Sequence, residues 1–181
     1  MSYIDKEVAS LESLELKSHT AVLTDACNTL FRSDSFELYD DAREFLASKN
    51  LAYLALVSAH PDQQLARARK EIITAHSVHI PSRPKWVKYG LYHQALQKME
   101  EREIEHIMIL GDRWFMDVSV GKILASRKRP SLAVDAVHVV RPEAETKKTR
   151  FDRLLQPIET ALFLGLTAVG RQQLRPEKLR A

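Results

Sequence analysis

The stretch "VLTDACNTLF", residues 22–31, joins an apolar run to an acidic side chain. Residues 20–25 are rich in β-forming residues, which predicts a buried strand that ends on Asp25. Two further apolar runs, residues 51–58 and 106–112, end in the same way on Ser58 and Asp112. Because ligands bind beyond the carboxyl ends of the strands in an open parallel sheet, these three polar side chains predict one shared functional site.

Apolar segments of strand length alternate with segments of helical periodicity along the chain. The predicted strands are residues 20–25, 51–58, 77–80, 106–112 and 131–140, and the predicted helices are 36–50, 61–75, 88–102 and 114–126. From residue 143 onward the chain is predicted to be mainly helical. Continuous apolar strands that alternate with helices are typical of parallel βαβ units. The sequence therefore predicts an α/β fold with a doubly wound, Rossmann-type parallel sheet.

The chain has 181 residues, a length typical of one domain with a substantial core. We expect a short helical or irregular lead-in at residues 1–19, the α/β domain at 20–170 and a basic tail at 171–181. The single cysteine, Cys27, excludes an intrachain disulfide. No apolar run is long enough to cross a membrane, and no nucleic-acid-binding motif supports the basic residues. The net charge of +3 permits an anionic partner without requiring one.

The polar residues at the predicted strand ends follow the order of a known set of motifs. "DACNT" (25–29) is followed by Ser58, by a lysine within "RPKWVK" (83–88), and by "GDRWFMD" (111–117). This arrangement resembles the haloacid dehalogenase-like (HAD) superfamily of phosphatases. The short loop "FRSDSFELYDD" (31–41) suits a member of that superfamily without a large cap domain.

Two longer segments of the sequence resemble one branch of this superfamily in particular. "GDRWFMDVSVGK" (111–122) and "TKKTRFDRLLQPIETAL" (146–162) are similar to segments of the phosphatidylglycerophosphate phosphatase-like branch. The similarity covers residues 10–165 in order. It implies a phosphorylated substrate, such as phosphatidylglycerophosphate at a membrane surface. The implied location is the cytoplasm or an organelle matrix, in contact with the surface of a membrane.

The resemblance implies phosphoryl transfer through an aspartyl-phosphate on Asp25. It implies Mg²⁺ as the cofactor, held by Asp25, the backbone carbonyl of Cys27 and Asp112, because Mg²⁺ prefers oxygen ligands. Asp117 completes the acidic group and would orient a water of the metal site or the lysine described next. The resemblance therefore implies an oxygen-rich metal site beside the nucleophile.

The resemblance also implies a set of groups that bind the phosphate. Ser58 would donate a hydrogen bond to a phosphate oxygen. Lys85 would offset the negative charge, although Arg83 and Lys88 compete for this role. Asn28 and Thr29 would contact the phosphate together with backbone N–H groups that follow Asp25.

Cys27 stands where active members of the superfamily carry a second aspartate, which is the general acid and base. General acid–base help is typically worth ~10²- to 10⁴-fold in rate. A thiol buried among carboxylates is expected to resist ionisation, so turnover should fall while metal and phosphate binding survive. Cys27 as a nucleophile is less well supported, because "ACNTLFRS" (26–33) has no glycine-rich phosphate loop.

Three functions therefore stay open at this point. The first is a Mg²⁺-dependent phosphomonoesterase with reduced turnover. The second is a non-catalytic relative that serves as a binding or assembly component with a protein partner. The third is a phosphotransferase that keeps a long-lived aspartyl-phosphate.

Overall fold

The computed structural model describes residues 4–48, 50–58, 78–79, 88–99 and 102–142. The chain divides into two compact units, Met1–Thr146 and Lys147–Ala181, and the described residues belong to the first. The predicted helix at 61–75, the helical segment from residue 143 and the domain boundary at residue 170 lie outside the described residues.

The described strands form one parallel sheet of six strands. They are β1 (Lys6–Val8), β2 (Thr20–Thr24), β3 (Leu51–Leu56), β4 (Val78–His79), β5 (His106–Gly111) and β6 (Ala133–Val139). Their order across the sheet is β1-β6-β5-β2-β3-β4. The strands that follow β2 in the chain, β3 and β4, lie on one side of it, and the later strands β5 and β6 lie on the other side. The gap between the ends of β2 and β5 is thus the point where the winding reverses, which is where ligands bind in such sheets.

Three α-helices are described: α1 (Asp40–Leu46), α2 (Tyr89–Lys98) and α3 (Val120–Lys128). A 3₁₀ turn spans Leu11–Ser13, and a π-helical turn spans Trp114–Ser119 directly before α3. The loop between β2 and α1 holds turns and isolated bridges among its described residues, and no cap domain is inserted there.

Side chains of successive strand residues point to opposite faces of the sheet, and both faces are buried. Val22, Leu54 and Met108 belong to a cluster with residues of α1, whereas Leu23 and Ile109 belong to a second cluster with residues of α2 and α3. Because both faces are covered, apolar residues are favoured at every position of β2, β3 and β5. The structure therefore confirms an α/β fold with an all-parallel sheet, compatible with a Rossmann-like arrangement.

The first strand differs from the sequence prediction. Residues 6–8, predicted as part of a helical or irregular lead-in, form β1 at the sheet edge and pair with β6. The strand has three residues, and only Val8 is buried, so it is too short to show an alternation of apolar and polar residues in the sequence. Long-range polar contacts fix the segment instead: Asp5 accepts hydrogen bonds from Lys122 Nζ (2.6 Å) and from the Ala136 amide (2.7 Å).

Candidate active site

Three aspartates meet at the carboxyl edge of the sheet. Asp25 directly follows β2, Asp112 directly follows the neighbouring strand β5, and Asp117 lies in the π-helical turn. The Asp25 amide donates to the carbonyl of Leu110 (3.1 Å), which extends the pairing of β2 and β5 to the start of the site. One carboxylate oxygen from each aspartate lies within 4.8 Å of the others. The predicted convergence of these side chains is confirmed.

The close approach of Asp117 requires a glycine at position 111. A Cβ atom on Gly111 would lie 2.2 Å from the Cβ of Asp117, a distance at which atoms overlap. The amides of Asp117 and Val118 both donate to the carbonyl of Arg113 (3.2 and 3.3 Å), and the Arg113 amide donates to Asp117 Oδ2 (3.2 Å). This tight turn directs the Asp117 carboxylate back towards the end of β5.

A lysine ammonium lies between two of the aspartates. Lys88 Nζ is 2.5 Å from Asp25 Oδ1 and 2.5 Å from Asp117 Oδ1, and its side chain is only 8% exposed. The predicted phosphate-binding residue Lys85 and its competitor Arg83 lie outside the described residues. Lys88, the other competitor, is the cation that the structure places in the acidic group.

The charges of this cluster do not balance. With all three carboxylates ionised, the cluster would carry a net charge of −2, although Asp25, Lys88 and Asp117 are buried and Asp112 is half-buried. Burial and the charges of Asp25 and Asp112 raise the pKa of Asp117 to about 7, although the ammonium of Lys88 acts against them. Burial and the Asp25 charge raise the pKa of Asp112 to about 6. Burial alone would lower the pKa of Lys88, but Asp117 and Asp25 raise it. The cluster therefore favours additional positive charge.

Cys27 is buried beside the carboxylates. Burial, followed by the charges of Asp25 and Asp112, raises the pKa of its thiol to about 12, so the expected resistance to ionisation is confirmed. The loop that carries it is closed by turns: Asn28 has φ +58°, and its amide donates to the Phe31 carbonyl (2.7 Å). A protonated thiol at this position cannot act as a general base near neutral pH.

The predicted phosphate-binding residues have different surroundings. Asn28 Nδ2 donates to Asp112 Oδ2 (3.3 Å), so this amide orients a carboxylate of the cluster. Thr29 is fully buried, and its hydroxyl has no hydrogen-bond partner among the described residues. Ser58 is buried two residues after β3, the strand that neighbours β2.

A histidine on β6 also reaches the site, and sequence analysis did not identify it. His138 Nε2 lies 3.1 Å from the backbone carbonyl of Asp112, which can only accept, so Nε2 is the donor. His138 Nδ1 lies 2.9 Å from a carboxylate oxygen of Glu7 on β1. Because β6 is next to β5, its carboxyl end lies at the same edge of the sheet. The position of His138 near the end of a predicted strand was therefore the sequence signal that could have identified it.

Replacing Asp112 by asparagine should stabilise the metal-free protein. The pKa of Asp112 is raised, so the folded chain holds a proton there more tightly than the unfolded chain does, and ionisation at neutral pH costs stability. With a chelator present at pH 7.5, D112N should increase the free energy of unfolding by about 1 kcal/mol, less than the full pKa shift implies because the side chain is partly exposed. The gain should shrink as the pH falls below about 6 and disappear only below 3.8, the ordinary pKa of an aspartate, where the carboxyl is protonated in both the folded and the unfolded chain.

Asp135→Asn is the matched control for this measurement. Asp135 lies away from the cluster, where it contacts Lys17 (3.2 Å) and His106 (2.9 Å) near the beginning of β5. Although burial acts to raise its pKa, these partners lower it, so neutralising Asp135 should destabilise the protein. The free energies of unfolding are measured in urea. A loss of stability in D112N, or a change of the same sign in both variants, would contradict the conclusion that like charges repel each other in the cluster.

Comparisons with known proteins found no matching family, no similar curated protein and no similar solved structure. Among the residues that the structure describes, no helix combines the length and apolar character needed to cross a membrane.

Proposed function

We propose that this chain is a Mg²⁺-dependent phosphomonoesterase of the HAD-like kind that acts through an aspartyl-phosphate on Asp25 and turns over slowly. The observation that carries the proposal is the buried cluster of Asp25, Asp112 and Asp117 with Lys88, at the point where the winding of the sheet reverses. The order of "DACNT", Ser58 and "GDRWFMD" along the chain gives the proposal independent support.

The donor atoms of the cluster fit a hard divalent cation. Asp25, Asp112 and Asp117 offer carboxylate oxygens, which Mg²⁺ prefers, and the net charge of −2 that the cluster carries when fully ionised matches the charge of the ion. When bound, such an ion would neutralise part of the negative charge on a phosphate group. Cys27 Sγ is not part of the group of candidate ligand atoms, and any contribution from this residue would come from its backbone carbonyl.

The side chains of the site have separable roles in the proposed reaction. Asp25 attacks the phosphorus atom, an O–P bond forms to its carboxylate, and the ester O–P bond breaks. Lys88 neutralises negative charge between Asp25 and the phosphate, and Asp117 keeps the lysine in place. Three loop amides, those of Asn28, Leu30 and Phe31, already donate to carbonyls within the loop. An anion nest would therefore use the amides of residues 26, 27 and 29.

The thiol of Cys27 limits this reaction in its second half. A good leaving group departs without a proton donor, so Asp25 can be phosphorylated. Hydrolysis of the aspartyl-phosphate then requires a base that deprotonates water, and a thiol with a pKa of about 12 does not supply one. The same observation favours two other candidates: a phosphotransferase with a long-lived aspartyl-phosphate, and a non-catalytic relative that binds a protein partner.

The physiological substrate follows from the resemblance alone. We propose a phosphate monoester of the phosphatidylglycerophosphate type, met at a membrane surface in the cytoplasm or an organelle matrix. A site without a large cap suits a lipid headgroup, because the lipid chains can stay in the membrane while the phosphate reaches Asp25.

Metal dependence is the direct test of the proposed function. Mg²⁺ should raise the melting temperature by several degrees, because binding to the folded chain relieves the repulsion among Asp25, Asp112 and Asp117. Phosphate release from p-nitrophenyl phosphate should require Mg²⁺ and stop when EDTA is added. K⁺ at matched ionic strength is the control. A melting temperature that does not respond to Mg²⁺, Mn²⁺ or Ca²⁺ would show that the cluster is not a metal site.

A further inference from the structure

One hydroxyl group near the cluster has no role in the reaction described so far. Tyr92 is completely buried on α2, and its Oη atom has no hydrogen-bond partner among the described residues. A buried hydroxyl without a partner costs about 1–3 kcal/mol, so such groups are rare in folded proteins unless another state of the protein uses them.

Contacts of Tyr92 with two parts of the structure, the start of α2 and Gly121 on α3, define the position of this hydroxyl. The Tyr92 amide donates to the carbonyl of Lys88 (2.9 Å), so the tyrosine lies one helical turn after the lysine on α2. On α3, Gly121 follows Asp117 by four residues. A Cβ atom on Gly121 would lie 3.0 Å from Tyr92 Cζ, the carbon that bears the hydroxyl. The absence of a side chain at residue 121 thus admits the end of the phenol ring beside the turn that carries Asp117.

The electrostatic surroundings agree with this placement. Burial, followed by the negative charges of Asp117 and Asp25, raises the pKa of Tyr92 well above its usual value. The phenol therefore keeps its proton and is available as a hydrogen-bond donor. Asp117 has few donors of its own: Oδ1 faces Lys88, and Oδ2 accepts from the Arg113 amide.

We propose that Tyr92 is a positioning residue for Asp117, whose carboxylate accepts a hydrogen bond from the Tyr92 hydroxyl once a divalent cation enters the cluster. This inference rests on the proposed function. A cation held by the three aspartates would compete with the Lys88 ammonium for Asp117 Oδ1 and so weaken a contact that orients this carboxylate. The tyrosine hydroxyl would then supply an additional hydrogen bond to Asp117. Carboxylates that bind metals are generally held by such outer hydrogen bonds, whose loss typically weakens metal affinity by ~10- to 100-fold.

Tyr92→Phe separates this role from packing, because it removes only the hydroxyl. With EDTA present, Y92F should melt at the same temperature as the wild-type protein or higher, since it deletes an unpartnered polar atom. Its Mg²⁺ affinity, measured by calorimetry, should fall by roughly 10-fold. If Tyr92 contributed only through the packing of its ring, Y92F should keep the wild-type Mg²⁺ affinity.

Tyr53→Phe is the matched control. Tyr53 is also a buried tyrosine that contacts α2, but its hydroxyl already donates to the carbonyl of Ala95 (3.3 Å). Y53F should therefore lower the melting temperature in EDTA and keep the wild-type Mg²⁺ affinity. Full Mg²⁺ affinity in Y92F overturns the role of Tyr92 and leaves the proposed function intact. Absence of Mg²⁺ binding by the wild-type protein overturns both.

Discussion

Cys27→Asp should increase the steady-state rate of phosphate release by ~10²- to 10⁴-fold, the range that general acid–base catalysis usually contributes. The physical reason is the missing base. The wild-type thiol has a pKa of about 12 and stays protonated, whereas a carboxylate at this position can accept a proton from water. The measurement is phosphate release from p-nitrophenyl phosphate with Mg²⁺, run beside the wild-type protein.

The time course of the same assay distinguishes the three candidate functions. A phosphatase limited by its second step should release about one equivalent of nitrophenol quickly and then slow down, because the aspartyl-phosphate accumulates. A stable phosphoenzyme should show the burst with almost no subsequent rate. Cys27→Asn, which is similar in size to aspartate but does not ionise, is the matched control and should bring no gain. A folded Cys27→Asp variant without any phosphate release would favour the non-catalytic component.

Asp25→Asn should reduce phosphate release by roughly 10³-fold or more, since the reaction loses its nucleophile. The effect is best measured in the Cys27→Asp background, where the starting rate is highest. In the protein that retains Cys27, where the aspartyl-phosphate accumulates, mass spectrometry after a short exposure to substrate should find a phosphoryl group on the peptide that contains Asp25. This adduct should be absent when Asp25 is replaced by asparagine.

The control for this experiment has to separate chemistry from folding. Asp25 also pairs with Lys88, so the variant should be checked by circular dichroism and thermal melting. Asp135→Asn, which neutralises an aspartate far from the cluster, should keep the rescued rate. If phosphate release persists in Asp25→Asn at the rate of its parent, then Asp25 is not the nucleophile.

The convergence of the aspartates could be predicted because it follows from a rule of topology. Asp25 and Asp112 end apolar runs, and strand ends of a parallel sheet share one edge. The position of Cys27 near the site follows from the same rule, but its interpretation as the missing general base depends on the resemblance, which implies a second aspartate there. The convergence itself needs only the periodicity of the chain and the positions at which the strands end.

Features that sequence analysis left open or assigned differently depend on contacts between distant segments. Lys88 was one of three candidate cations, and it directly precedes α2, where the helix dipole alone makes a positive charge unfavourable. Two carboxylates from other elements offset that cost. Similarly, the three residues of β1 are held by Lys122 and β6, which lie more than a hundred positions away. No local pattern encodes such pairings.

The position of Lys88 at the start of α2 links the cluster to the motion of a helix end. First turns of helices open and close more readily than helix centres. The carbonyl of Lys88 accepts the amides of Leu91 and Tyr92, so unwinding of this turn would carry the ammonium away from Asp25 and Asp117. Fraying of this helix terminus would therefore have to separate two buried ion pairs, so these contacts between elements hold the first turn of α2 in place.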